Sequence, residues 1–105
     1  MSGAGTTTAV IQIGNTDDKL SQGEWSRFCD SMGDLVNALC SEIHYMGGSP
    51  ANAPWQNACW VIAVPSDALD DLRRNLASIA RRYQQDSIAL TVGDTEFVRQ
   101  IGGDA

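Results

Sequence analysis

The stretch that decides the fold is Trp-Gln-Asn-Ala-Cys-Trp-Val-Ile-Ala-Val, residues 55–64. Its second half is an almost continuous apolar run, which is typical of a strand at the centre of a sheet. Its first half places Trp55 beside Gln56 and Asn57. An indole and two side-chain amides suit recognition of a flat or polar ligand, because they combine rigid contact area with donors and acceptors. The stretch therefore predicts a central strand with a candidate ligand site at its entrance.

The chain before this strand shows a strand, a helix and a second strand. The β-branched run at residues 9–13 predicts a strand that ends at a Gly-Asn turn. Ser21 and Glu24 have the spacing of a capping box, so we expect an amphipathic helix that begins there and ends near Cys40. Residues 42–46 alternate and predict the next strand.

The chain after the central strand repeats the helix and strand patterns. Ser66 or Asp67 is expected to cap a helix whose apolar positions recur from residue 69 to residue 83. Residues 87–92 alternate as a fourth strand, and residues 95–98 again have strand character. The order β-α-β-β-α-β predicts an α+β, ferredoxin-like fold, with a four-stranded antiparallel sheet and two helices on one face.

Length and composition indicate a single globular domain. The chain has 105 residues, of which 43% are hydrophobic and 19% charged, a composition typical of a folded protein. We assign residues 9–98 to the domain, residues 1–8 to a flexible lead-in and residues 99–105 to a flexible tail.

Charge and cysteine content restrict the partners and the compartment. The net charge of −6 disfavours long nucleic acids, because an acidic protein repels phosphate backbones. No apolar stretch is long enough to span a membrane. The three cysteines are an odd number without a CxxC motif, which predicts reduced thiols in the cytoplasm, or in the host cytoplasm if a phage encodes the chain. His44 is the single histidine, which excludes a two-histidine metal site within one chain, and the cysteines lack the spacing of metal ligands. Neither a metal nor a cofactor is expected.

Two helices leave the second face of such a sheet to be covered by something else. Strict alternation directs Tyr45 toward the helices, and His44 and Met46 toward the second face. For the central strand, alternation leaves open whether Trp60 or Val61 points toward the helices, because both alternating sets are apolar. The second face is mixed, with few residues of the kind that full solvation favours. A second copy of the chain is the favoured covering, as in a dimeric α+β barrel, and a ligand or another protein is the alternative.

The sequence offers candidate ligand-binding side chains but no convincing catalytic set. Stacking is assigned to Trp55, recognition of polar edges to the two amides after it, and anion binding to Arg82 at the end of the second helix. Structural alternatives are hydrogen bonding at the strand entrance for the amides and helix capping for Arg82. The complete set of candidates is Trp55, Gln56, Asn57, His44, Arg82, Gln85, Ser87, Asn15 and Lys19.

Four segments together resemble a group of uncharacterised small proteins of actinobacteria and their phages. They are IGNTDDKL at residues 13–20, WQNA at residues 55–58, RYQQDSIA at residues 82–89 and TEF at residues 95–97. The similarity covers most of the predicted domain. The group has no established activity, so the resemblance implies no catalytic residue. It implies a phage accessory protein, such as one that sequesters a host signalling nucleotide.

These observations favour a non-catalytic, dimeric protein that binds a small polar or nucleotide-like ligand. One alternative is an enzyme, a cofactor-free oxygenase of the dimeric α+β barrel kind, with a cavity lined by His44, Trp60 and Asn57. The other is an inhibitor that binds a protein through the second sheet face or an edge strand.

Overall fold

The computed structural model describes residues 5–15, 19–50 and 53–101. Its four strands form one antiparallel sheet in the order β2-β3-β1-β4, and buried residues of both helices share one core with one face of this sheet. The fold is therefore the predicted ferredoxin-like α+β arrangement. In chain order, the elements are β1 (Thr6–Gly14), α1 (Gln22–Leu39), β2 (Glu42–Gly48), β3 (Asn57–Pro65), a 3-10 turn (Ser66–Ala68), α2 (Leu69–Arg82) and β4 (Ala89–Gly93).

The first helix begins as its sequence predicts. The Ser21 hydroxyl accepts a hydrogen bond from the Glu24 amide at 3.2 Å, and the Glu24 carboxylate accepts one from the Ser21 amide at 2.8 Å. Together they satisfy two backbone donors that the first turn leaves unpaired. The hydrogen bond from the Ser21 backbone amide lowers the pKa of the Glu24 carboxyl below its ordinary value, and a hydrogen bond from the Ser21 side chain lowers it further. At the other end the Cys40 amide donates to the Val36 carbonyl at 2.9 Å.

The second helix begins differently from the expectation. Neither Ser66 nor Asp67 caps it, because both lie in the 3-10 turn that precedes the helix. The cap position falls on Ala68, which makes no side-chain hydrogen bond. The Ser66 amide instead donates to the Gly5 carbonyl at 2.9 Å and ties the end of β3 to the chain before β1.

Two predicted boundaries are corrected by the structure. The first strand begins at Thr6, inside the expected lead-in, because residues 6–8 pair with β3 and Thr8 also pairs with β4. Residues 95–98 form no strand, although the Thr95 hydroxyl contacts the Thr8 hydroxyl. The rest of the expected lead-in and tail, residues 1–4 and 102–105, lies outside the described residues.

A bulge in β2 overturns part of the predicted face assignment. Ile43 pairs with Ile62, but Tyr45 pairs with Val61, so His44 is an extra residue in this strand. Directly paired residues project from the same face of a sheet, and an extra residue reverses the alternation that follows it. Tyr45 therefore projects on the face of Val61, opposite to the prediction.

The same register settles the orientation of the central strand. Trp60, Ile62 and Val64 are 2%, 0% and 0% exposed and belong to the core beneath the helices. Met46 pairs with Trp60, so it projects toward the helical side. The prediction that it points toward the second face is therefore wrong.

The core consists of large side chains held by the two helices and the central strands. Phe28 is 0% exposed; its ring meets Trp25 edge-on at 5.9 Å and stacks on Tyr83 at 5.0 Å. The Tyr83 hydroxyl shares a hydrogen bond of 2.9 Å with the Ser31 hydroxyl and lies 3.2 Å from the Arg27 carbonyl. These contacts fasten the end of α2 to α1.

The second face of the sheet, here called the open face, is covered by neither helix. By strand register it includes Thr8, Val10, Gln12, Glu42, Tyr45, Gly47, Cys59, Val61, Ala63, Ala89 and Thr91, and the bulged residue His44 lies beside Glu42. The shortest extent of the molecule is 19 Å, which matches one sheet with one layer of helices on it. The C-terminal segment, residues 94–101, follows β4 and carries strongly exposed apolar side chains.

Candidate functional site

Two of the predicted ligand contacts, Gln56 and Asn15, are instead buried structural residues. They are 2% and 1% exposed, and the Asn15 side-chain amide donates to the Gln56 side-chain oxygen at 3.2 Å. Gln22 of α1 exchanges two further hydrogen bonds with Gln56, at 3.0 and 2.8 Å. Asn15 also exchanges two bonds of 3.0 Å with the backbone of Leu20. This amide cluster joins β3, the segment after β1 and α1, and occupies the groups that were expected to recognise a ligand.

The neighbours of Gln56 remain on the surface. The Trp55 side chain is in a turn and the residue is 54% exposed, as expected for a stacking residue. The Asn57 side chain donates to the Trp55 carbonyl at 3.2 Å, a strand-entrance bond of the kind considered for the amides. Lys19 reaches the Gln84 carbonyl at 3.2 Å.

Arg82, Gln85 and Ser87 were predicted to bind a ligand, and they lie near a groove between α2 and the edge strand β4. Gln84 has a φ of +57°, a left-handed conformation that ends a helix and reverses the chain. The Gln85 amide then donates to the Ala80 carbonyl at 2.8 Å, and the chain returns beside α2 into β4. Since β4 has only five residues, the groove between this returning chain and the helix stays open.

This α2–β4 groove encloses about 620 Å³, within the usual size range of small-molecule sites. Its floor is apolar and its rim carries two guanidiniums, an amide, a hydroxyl and one carboxylate. The complete lining is Arg73, Leu76, Ala77, Ala80, Arg81, Gln85, Asp86, Ser87, Ile88 and Leu90. Two predicted site residues, Gln85 and Ser87, are therefore brought together.

The groove is lined by a neighbour of the predicted anion-binding arginine. Arg82 does not line the groove, whereas Arg81 and Arg73 do. Arg73 also pairs with Asp70 at 3.1 Å, while the Arg81 side chain makes no ion pair or hydrogen bond with the part of the chain that the structure describes. Helical spacing explains why Arg81 lines the groove. Arg73, Leu76 and Ala80 recur at steps of three and four residues on the face of α2 that borders β4, and Arg81 follows Ala80 at the edge of this face. That periodicity is the signal that could have identified Arg81.

His44 lies away from these residues, on the open face. Its imidazole is 3.9 Å from the Glu42 carboxylate, in a hollow of about 470 Å³ that is also lined by Thr6–Thr8, Asp94, Thr95 and Phe97. Trp60 lies in the core on the other face. The cavity of His44, Trp60 and Asn57 expected for an oxygenase is therefore not formed within one chain.

A second cleft, the α1–β2 cleft, borders the opposite side of the helical layer and was missed by the sequence analysis. It encloses about 610 Å³ between α1 and the β2–β3 hairpin. Asn57 is the only predicted candidate among the described residues that line it. Its other lining residues are Trp25, Cys29, Asp30, Gly33, Asp34, Asn37, Met46, Gly47, Gly48, Ser49, Ala58 and Trp60.

Within residues 5–15, 19–50 and 53–101, no three His, Cys, Asp or Glu side chains are placed to hold a metal ion. Cys29, Cys40 and Cys59 are all free thiols. Burial, and then the charge of Asp30, raises the pKa of the Cys29 thiol. Among the helices of the described part, none has both the length and the apolar character needed to cross a bilayer.

Comparison with known proteins finds matches among solved structures. No protein-family model matches the chain, and no curated protein matches its sequence. Among solved structures, the chain is similar to a dimeric ferredoxin-like protein from an uncultured marine organism, at 12% sequence identity and a TM-score of 0.49. The match covers 91% of this chain and 94% of that one.

Proposed function

We propose that this protein binds a small anionic ligand, nucleotide-like in character, in the α2–β4 groove and does not convert it. The observation that carries the proposal is the position of Arg81, whose guanidinium borders an apolar groove and has no ion pair or hydrogen bond within the described residues. An arginine offers a planar set of donors that matches a carboxylate or phosphate. Gln85 and Ser87 line the same groove and add donors and acceptors for the polar edge of a ligand.

The composition of the groove favours binding over turnover. Guanidiniums do not exchange protons near neutral pH, and Asp86 is the one carboxylate of the lining. The apolar floor provides contact area for a base or another planar body. The resemblance to phage-encoded proteins supports a sequestering role, in which a ligand is withdrawn from the cell rather than consumed.

Adjacent arginines provide a matched test of this proposal. We expect Arg81→Gln to weaken binding of the ligand at least tenfold and Arg82→Gln to weaken it less than twofold, because only Arg81 lines the groove. The two variants are matched, since each removes one charge from the same exposed helix turn. Calorimetry with AMP, ADP-ribose and cyclic dinucleotides measures the affinities. Absence of binding by every one of these compounds, or an equal effect of the two substitutions, contradicts the proposal.

We propose further that the protein is a homodimer closed through its open face. Val10 and Val61 lie half-buried at the centre of this face, and Tyr45 at its edge is 56% exposed. In the C-terminal segment, Phe97 and Val98 are 77% and 86% exposed. Phe97 lies on the side of the open face, because it lines a hollow together with Thr8 and His44 of that face.

The available area supports a second copy as the partner. Four strands about 4.8 Å apart and about 23 Å long give a face of roughly 450 Å². The C-terminal segment adds roughly 200 Å², which brings the total to roughly 650 Å², within the roughly 600–1,000 Å² that each partner of a stable interface buries. A two-fold axis through the face lets each segment lie across the other copy.

The oligomeric state tests the dimer. Sedimentation of the wild-type chain at micromolar concentration is expected to give a dimer, and Val61→Lys is expected to give a folded monomer because it places a charge at the centre of the interface. Ser78→Lys on the exposed side of α2 is the matched control and is expected to stay dimeric. A monomeric wild-type chain, or association only with a different protein, overturns the proposal.

A further inference from the structure

We propose that the α1–β2 cleft is a second binding site, specific for an organic ammonium ion carried on an apolar or aromatic body. This site is separate from the α2–β4 groove, because the two lie on opposite sides of the helical layer and share no lining residue. The proposal rests on three features of the cleft: its uncompensated negative charge, its two tryptophans and the space left by its small residues.

The charge comes from two carboxylates on one face of α1. Asp30 and Asp34 are four residues apart, a spacing at which like charges repel on a helix. Within the described residues neither carboxylate has an ion-pair partner. The last turn of α1, which follows Asp34, contains no basic residue that would compensate this charge. A bound cation would relieve this repulsion.

The tryptophans supply the second feature. Trp60 is 2% exposed and Trp25 is 8% exposed, and both contribute to the wall of the cleft. Neither indole N–H has a hydrogen-bond acceptor within the described part of the chain, although a buried indole usually finds one. Indole rings attract cations through their electron-rich faces. The unused donors show that the described chain does not complete the polar contacts of this wall.

The third feature is the space itself. A Cβ atom at Gly33 would meet nothing within 4 Å, so α1 presents a gap there. Met46, which is 64% exposed, borders the gap from β2 and offers a flexible apolar surface. Cys29 lines the same cleft, and the effect of Asp30 on its thiol pKa agrees with a negative potential at this position.

These features favour an organic cation over a metal ion. A hard metal ion needs six or more oxygen ligands, whereas much of this wall is indole, thioether and small apolar side chains. An ammonium group needs only the two carboxylates, and its apolar body can lie against the indoles.

The probe for the test is 2-phenylethylammonium, with 2-phenylethanol as the neutral analogue of equal shape. The experiment uses the Trp55→Phe variant of the full chain, so that fluorescence reports Trp25 and Trp60 alone. Trp55 does not line the cleft, and its substitution is expected to leave binding unchanged by calorimetry. We expect the ammonium compound to change the fluorescence with a saturable dependence, and the alcohol to bind at least tenfold more weakly.

Charge substitutions identify the carboxylates. Asp30→Asn with Asp34→Asn is expected to weaken the ammonium compound at least tenfold. Asp67→Asn with Asp94→Asn removes the same two charges from residues outside the cleft and is expected to change the affinity less than twofold. Absence of binding, equal binding of the alcohol, or an equal effect of the two charge pairs overturns the proposal. None of these outcomes involves the groove at β4, so the two sites are tested independently.

Discussion

Replacement of Gln56 by methionine distinguishes a structural role of this residue from the ligand contact that its sequence context suggests. Methionine retains the length and burial of glutamine but removes its amide. Among the described residues, the bonds lost are two with Gln22 at 3.0 and 2.8 Å and one with Asn15 at 3.2 Å. At about 1 kcal/mol for each net hydrogen bond, the free energy of unfolding should fall by about 2–3 kcal/mol. The exposed Gln22 can turn to water, whereas the buried Asn15 keeps its bond to the Leu20 carbonyl at 3.0 Å.

Denaturation by urea and by heat measures this loss. A decrease of 2–3 kcal/mol corresponds to a decrease in Tm of roughly 10–20 °C for a domain of this size. Asn57→Ala is the matched control, because this neighbouring amide is exposed and its bond is to the Trp55 carbonyl; its cost should be below about 0.5 kcal/mol. If Gln56→Met is as stable as the wild type and loses only ligand affinity, the structural interpretation of the amide cluster is refuted.

Three further substitutions test the physical basis of the fold. Glu24→Gln removes a carboxyl whose pKa in the folded state lies below its ordinary value of 4.5. The ionised carboxyl stabilises the fold above that pH, and this stabilisation is lost as the pH falls. Urea denaturation at several pH values should therefore show that the wild type loses more stability on acidification than the variant. Phe28→Ala, at a position that is 0% exposed, should cost about 3–5 kcal/mol in guanidinium denaturation, and a cost below about 1 kcal/mol would contradict the assigned core. Gln84→Gly should raise the free energy of unfolding by about 1 kcal/mol, because glycine adopts a positive φ without strain; a lower Tm would argue against this helix end.

The two grooves beside the helical layer differ in charge. The groove at β4 has arginines on its rim, and the cleft at β2 has aspartates. Both exist because two helices cover the two central strands more completely than the two edge strands. Leu90 of β4 and Met46 of β2 remain partly or largely exposed. The fold thus leaves two grooves with opposite charge beside the helices.

Local patterns were sufficient to predict the order of elements. The capping box of α1 depends on two residues three positions apart, and the confirmed bonds between Ser21 and Glu24 involve no other part of the chain. The apolar run of β3 likewise indicated a central strand, which pairs with β1 and β2. Periodicity carries this information because it is set by the geometry of each element.

Which residues meet was decided only by the tertiary structure. The bulge at His44 exchanged the faces of Tyr45 and Met46, and bulges depend on pairing with another strand rather than on local composition. Gln56 and Asn15 are 41 residues apart in sequence, and their contact became visible only when β1 and β3 were paired. The sequence by itself therefore determined the architecture and the candidate residue types. The packing of distant segments determined which amides are buried and which arginine and aspartates border open space, because burial is a property of the assembled layers rather than of any one segment.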